Sequence, residues 1–162
     1  MLHTKVVDIK KEKIKLSNAE KFIASSKYGA SIYFVGTVRD LNNNKKVIGM
    51  TYDSHDPMVI KSLEEIYQNS LTKFKFDNQA VFIEHIKGHV LLGEVSILIA
   101  VACKHRDQAY ELSRFFIEEI KKKHLFGKKN IMKMKTVSGW MAILFKLNNI
   151  FLYYKHIKFY KD

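Results

Sequence analysis

Cysteine is almost missing from this sequence. The single Cys103 among 162 residues can close no internal disulfide and cannot supply a zinc site built on paired thiolates. Such a chain suits a reducing compartment. Proline occurs once and glycine seven times, which leaves little material for a flexible linker, so one domain is expected at this length. No apolar run approaches the roughly 20 residues that span a bilayer. The opening MLHTKVVDIKKEKIKL also lacks the apolar core of a signal peptide. The expectation is a cytoplasmic protein with no membrane partner. Acid is scarce too: 16 Asp and Glu stand against 28 Lys and Arg, for a net charge of +12. That excess predicts an anionic partner without saying whether it is nucleic acid, an acidic protein or a phosphorylated metabolite. Apolar residues are plentiful at 47%, with 12% aromatic, which fits a folded core and argues against disorder.

Hydrophobic patterning predicts strands and helices in mixed order, β-α-β-β-α-β-β-α-β. KVVDIK alternates weakly, as an edge strand does. SNAEKFIASSKYG reads as a helix, with Ser17 and Glu20 at capping-box spacing and Gly29 as a left-handed stop. ASIYFVGTVRD is apolar enough for a central strand, and VIGMTYDSH reads as its return in a long hairpin. DPMVIKSLEEIYQNSLTKF begins with Asp56 as a cap and Pro57 at the first helical position, and Met58, Leu63, Ile66 and Leu71 lie near helical spacing. QAVFIEHIKGHV and EVSILIAVAC are two further strands. DQAYELSRFFIEEIKKKH is a second long helix with Ala109, Leu112, Phe116 and Ile120 as its apolar stripe, and Gly127 is expected to end it. NIMKMKTVSGW is a candidate last strand. Hairpins mixed with helices predict an α+β fold rather than a doubly wound parallel sheet. There is no internal repeat, no GxGxxG and no P-loop motif. Residues 1–140 read as one domain. Residues 141–162 form an apolar and basic tail without a clean period, suited to packing on the core or an oligomer contact.

Five cations stand out. Arg39 and Arg106 each follow an apolar strand, and a sheet could bring those strand ends together. Paired guanidiniums grip a phosphate through parallel N–H donors and stay charged at any working pH. His105 and Arg106 also precede a helix whose first N–H groups are free for an anion. Lys121 ends that helix and Lys128 follows seven positions on. Each cation alone is more simply a solvated side chain. Cys103, in a buried strand, reads mainly as inert core. The seven histidines show no metal-ligand spacing, and no metal site is expected.

At these residues the chain resembles the large, catalytic subunit of molybdopterin synthase. GASIYFVGTVRD is similar to that family's strand ending in a G-x-V-R turn, and MTYDSHDPMVIKSLEEI to its strand and Pro-Met helix start. IEHIKGHVLLGEVSILIAVACKHRDQAYE is similar to its H-R-x-G strand, G-E turn and strand into H-R-x-x-A. IEEIKKKHLFGKKN carries the helix-end lysine with a second lysine seven on, and SGW matches the closing tryptophan element. The likeness runs from about Lys5 to Trp140. It implies an α+β fold of the hammerhead type, with a mixed, largely antiparallel sheet and two long helices. It implies conversion of cyclic pyranopterin monophosphate to molybdopterin by transfer of two sulfurs. The sulfur donor is the thiocarboxylated Gly-Gly C-terminus of a small ubiquitin-like subunit, and no cofactor is required. It further implies a homodimer at the centre of a heterotetramer. Carried over by motif, Lys121 and Lys128 are catalytic, and Arg39, His105 and Arg106 bind the pterin and its phosphate. One departure stands in the arm before Lys128. HLFGKK has Leu125 and Gly127 where the family has a Pro-x-Trp element. The tail beyond Trp140 also differs. Two other readings remain open: a basic nucleic-acid-binding module, and an inactive scaffold of the same fold.

Overall fold

In the computed structural model, which describes residues 1–42, 45–133, 143–147 and 150–154, the elements follow the expected order with three additional strands. They are β1 (Leu2–Asp8), α1 (Leu16–Ile23), β2 (Ala30–Thr37), β3 (Leu41–Asn42), β4 (Lys45–Asp53), α2 (Asp56–Phe74), β5 (Gln79–Leu91), β6 (Val95–Cys103), α3 (Arg106–Lys122), β7 (Gly127–Lys133), β8 (Ile143–Leu147) and β9 (Ile150–Tyr154). The fold is α+β, with a mixed sheet and two long helices, as expected.

The longest apolar run explains the centre. β6 is buried from Ser96 to Cys103 because both of its faces are covered. Side chains alternate across a strand. Ile97, Ile99, Val101 and Cys103 therefore share one core with Leu63 and Ile66 of α2 and with Leu112 and Phe116 of α3. Leu98, Ala100 and Ala102 point the other way and meet Ala19 and Ile23 of α1. Each large apolar side chain so buried contributes about 1.5–3 kcal/mol relative to exposure.

β5 joins the two halves of the sheet. Its first half lies between β6, antiparallel, and β1, parallel. Its last residues pair with β4, after which β7, β8 and β9 follow antiparallel. The change of partner occurs at Gly88, where φ is +104° and an added Cβ would lie 2.6 Å from Ile9 Cγ2. Only glycine fits that step without strain. In the 141–162 region, β8 and β9 extend the sheet beyond β7.

Several local expectations are corrected. β2 is an edge strand beside β6, and it makes no hairpin with β4. Its residues alternate between half-buried and exposed, so only one face is covered. α1 starts at Leu16, one residue ahead of Ser17, with Lys15 at its N-cap and no side-chain cap. Gly29 is not a left-handed stop. It is a contact glycine, since a Cβ there would sit 2.6 Å from the Lys104 carbonyl oxygen. His55, not Asp56, caps α2, which puts Pro57 second in the helix; Asp56 pairs instead with Lys87. The α2 stripe runs Val59, Leu63, Ile66 and Ser70, leaving Met58 and Leu71 exposed. The α3 stripe is as expected. α3 stops at Lys122, with His124 left-handed at φ +47°, and Gly127 opens β7.

Gly88→Ala is expected to cost about 1–3 kcal/mol, because it adds both a clash and a strained φ. A lower urea midpoint at unchanged slope would report it. Gly93→Ala is the control, since φ is +76° but nothing lies within 4 Å of its Cβ position. A midpoint equal to that of the control would mean that the Ile9 contact is not limiting.

Candidate active site

The chain leaves β2 through a bulge. Gly36 pairs with Ile97, but Thr37 pairs with Val95. The Gly36 carbonyl accepts the Ser96 hydroxyl at 3.1 Å. Val38 is buried and hydrogen-bonded through both backbone groups, its N–H to the Glu94 carbonyl at 3.1 Å and its carbonyl from the Gly93 N–H at 2.7 Å. Arg39 comes next, exposed, with no hydrogen bond or ion pair among the described residues. Its backbone is held while its guanidinium is available.

α3 runs back across β6 and β2, so its C-terminus lies toward this same end of the sheet. The three lysines there differ. Lys122 pairs with Glu119 at 2.8 Å and Lys123 with Glu65 at 3.0 Å. Lys121 is exposed and has no carboxylate partner among the described residues. The departed arm is anchored. Phe126 is buried and stacks on His85, with ring centroids 3.5 Å apart and planes 11° apart. Tyr52 meets His85 edge-on at 4.9 Å. His85 Nδ1–H donates to the Ile86 carbonyl at 2.7 Å. Burial pushes the Tyr52 phenol upward, partly offset by its hydrogen bond with Ser96. β7 then leaves this aromatic stack with Gly127 opposite Asp53 and Lys128 opposite Tyr52.

His105 and Arg106 lie elsewhere. In the antiparallel β2–β6 pair, Ala30 faces Cys103 while Thr37 faces Val95. The N-terminus of α3 is therefore at the far end of β6 from Arg39. The nine residues of β6 make eight steps, roughly 27 Å at the rise of a strand. There Gly29 lies against the Lys104 carbonyl, the His105 N–H donates to Gln108 Oε1 at 3.4 Å, and Arg106 stays exposed with Asp107 Oδ1 at 3.9 Å. Within one chain, Arg39 and the C-terminus of α3 lie toward one end of the β2–β6 pair, and His105 and Arg106 lie at the other. The sheet does not join the two arginines, because antiparallel pairing sends their strand ends in opposite directions.

Sequence reasoning missed the Phe126–His85–Tyr52 stack and the Val38 clamp. The signal for the first was Phe126, the one aromatic residue in HLFGKK. Cys103 has no surface exposure, and burial pushes its thiol to about 11. Such a thiol is a core group at neutral pH. Among the described residues, no three His, Cys, Asp or Glu side chains gather as a metal cluster, and no helix is long and apolar enough to cross a membrane.

A family model described as MoaE protein matches residues 9–123. This chain belongs to the MoaE family. It is 34% identical over 121 residues to the molybdopterin synthase catalytic subunit of Pyrococcus abyssi, covering 74% of this chain and 80% of that one. The solved molybdopterin synthase structure from Staphylococcus aureus superposes with a TM-score of 0.72 at 26% identity, covering 82% of this chain and 92% of that one. A solved protein–protein complex of subunits 1 and 2 of molybdopterin-converting factor from Helicobacter pylori shares the fold, with a TM-score of 0.64 at 22% identity and coverage of 85% and 89%. The chain spans only 37% of the length of the Drosophila catalytic subunits that it also matches. The MoaE match contains Arg39, His105, Arg106 and Lys121, and it ends before the arm that carries Lys128.

If Cys103 is core, native protein at pH 7–8 should resist iodoacetamide, and urea-unfolded protein should be alkylated at once. Rapid stoichiometric labelling of the folded state would show an open, reactive thiol instead.

Proposed function

We propose that this chain is the large subunit of molybdopterin synthase, acting in the cytoplasm as a sulfurtransferase on cyclic pyranopterin monophosphate. The observation that carries the reading is Lys121. Alone of the three lysines at the end of α3, it has no carboxylate partner among the described residues, and it lies toward the sheet end that carries Arg39. Two sulfurs arrive in turn from the thiocarboxylated C-terminus of a small ubiquitin-like subunit. Lys121 stabilises charge and supplies a proton as each thiocarboxylate sulfur bonds to the pterin, and water then cleaves the acyl–sulfur bond so that the small subunit leaves as a carboxylate. Lys128 supports it. Opening the cyclic phosphate develops charge on the leaving oxygen, which fixed cations stabilise without reorganising. Arg39, His105 and Arg106 hold the phosphate and pterin, a task that guanidiniums perform with paired donors. No cofactor takes part. The buried Phe126 gives the HLFGKK arm a fixed root, which favours an active enzyme over an inactive scaffold.

The separation of Arg39 from His105 and Arg106 supports two copies per working unit. One copy supplies Arg39 and the lysines to a pocket, and the other supplies His105 and Arg106. The small subunits then dock at the two ends of this homodimer.

Reconstitution tests the reaction. Wild-type chain, thiocarboxylated small subunit and cyclic pyranopterin monophosphate should yield dithiolene product, with Lys121→Ala about 10²–10³-fold slower. A stable complex with the small subunit but no product would leave only a scaffold. Neither complex nor product would overturn the reading.

Subunit mixing tests the shared pocket. At pyranopterin concentrations well below half-saturation, Arg39→Ala and Arg106→Ala chains are each expected to show roughly a tenth or less of wild-type activity. After unfolding and refolding together, half the dimers are mixed and each mixed dimer has one intact pocket. Recovery of roughly a quarter of wild-type activity is therefore expected for a two-fold dimer. No recovery would mean that each pocket is built within one chain.

A further inference from the structure

We infer that Glu94 is a positioning residue for Arg39, acting through the β5–β6 turn. The inference rests on Arg39 being part of the anion pocket. Glu94 closes the turn twice over. Its Oε2 accepts the Leu91 N–H at 3.0 Å, and its own N–H donates to the Leu91 carbonyl at 3.2 Å. Its Oε1 accepts Lys13 Nζ at 2.6 Å. That pair is mostly exposed on the lysine side and so adds little by itself. Its effect is to occupy the outer carboxylate oxygen and keep it off nearby cations.

The closed turn is the surface on which the Arg39 segment rests. Val38 is bonded to Gly93 and Glu94 through both of its backbone groups. On the other side of Arg39, the Asp40 carbonyl accepts the Val47 N–H at 2.7 Å. Arg39 thus stands between two pinned residues, and it has no hydrogen-bond or ion-pair partner of its own among the described residues. The position of its guanidinium is inherited from Val38, and that of Val38 from the turn. A preorganised cation binds its anion without paying to be ordered first. Glu94 touches no reacting atom, so its loss should weaken substrate binding and leave the chemical step alone.

The test is a double-mutant cycle in the reconstituted reaction. It reads the pyranopterin concentration for half-maximal rate and the rate at saturation. Arg39→Ala is expected to raise the half-saturating concentration about tenfold or more, as loss of a charged phosphate contact does. Glu94→Ala should raise it about three- to tenfold with the saturating rate within about twofold, the pattern of lost uniform binding. Glu94→Gln keeps an oxygen for the Leu91 N–H and should restore most of the loss. In the Arg39→Ala background, Glu94→Ala should add nothing, because residues acting through one another are not additive. Fully multiplicative effects would overturn the inference, as would a lost saturating rate at unchanged half-saturation. If Glu94→Ala does not fold, Lys13→Glu takes its place. It repels the Glu94 carboxylate and should raise the half-saturating concentration only while Arg39 is present; no change there would equally overturn the inference. If Arg39→Ala alone changes nothing while product still forms, the assignment of Arg39 falls and takes this inference with it.

Discussion

Everything in this fold hangs on β5, the strand that joins the two halves of the sheet. Its first half is buried beside β6 and β1, and its last residues hydrogen-bond to β4. A strand cannot serve both partners in one plane without a local twist, and Gly88 supplies that step at φ +104°. The step fixes where β4 and β7 stand relative to the helical core. It also places His85, three residues earlier, where Phe126 stacks on its ring. The arm from Lys121 to Lys128 is therefore registered against the core by an aromatic contact rather than by loop length.

The same antiparallel geometry divides the cations. β2 and β6 run in opposite directions, so the exits that carry Arg39 and Arg106 lie at opposite ends of the pair. No rotamer closes a gap of roughly 27 Å. Two such chains related by a two-fold axis would offer opposite ends to each other, and a closed dimer is the commonest way for a protein to complete a surface. The uncharged segment from Tyr28 to Val38 carries the edge strand β2, whose outer residues Tyr33 and Val35 remain exposed. An uncharged edge of this kind is costly to leave open.

The elements themselves were legible because their signals are local. The run VSILIAVAC announced a strand buried on both faces, and Ala109, Leu112, Phe116 and Ile120 announced a helix face. Partner choice was not legible. ASIYFVGTVRD and VIGMTYDSH look like a hairpin because they are adjacent and both β-prone, yet β6 offers β2 a far more apolar neighbour. Met58 and Leu71 drew the α2 stripe off phase, since a few exposed apolar residues are normal on any surface. The five candidate cations stand out together by their place at strand and helix ends, but their roles rest on the family motif, since a lone exposed Arg or Lys carries no signal of its own. What distinguishes Lys121 from Lys122 and Lys123 is which of them meets Glu119 or Glu65, and sequence does not display those contacts.

The arm HLFGKK shows how a departure from a family pattern can be absorbed. Gly127 stands where the pattern has an aromatic residue, and glycine alone would leave the approach to Lys128 underdetermined. Two constraints replace what is lost. His124 turns left-handed to end α3 sharply, and Phe126 enters the core beside His85 and Tyr52. An edge-on aromatic contact such as that of Tyr52 with His85 at 4.9 Å contributes about 0.5–1.5 kcal/mol beyond the area it buries. Burying the Phe126 ring adds about 1.5–3 kcal/mol more, and the pairing of Gly127 and Lys128 with β4 shares the cost of ordering the arm. With Gly127 bearing no side chain, the space beside Asp53 stays open, and a Cβ there would meet nothing closer than 3.8 Å. The anchor of the arm is thus Phe126, one residue before Gly127 and two before the second lysine.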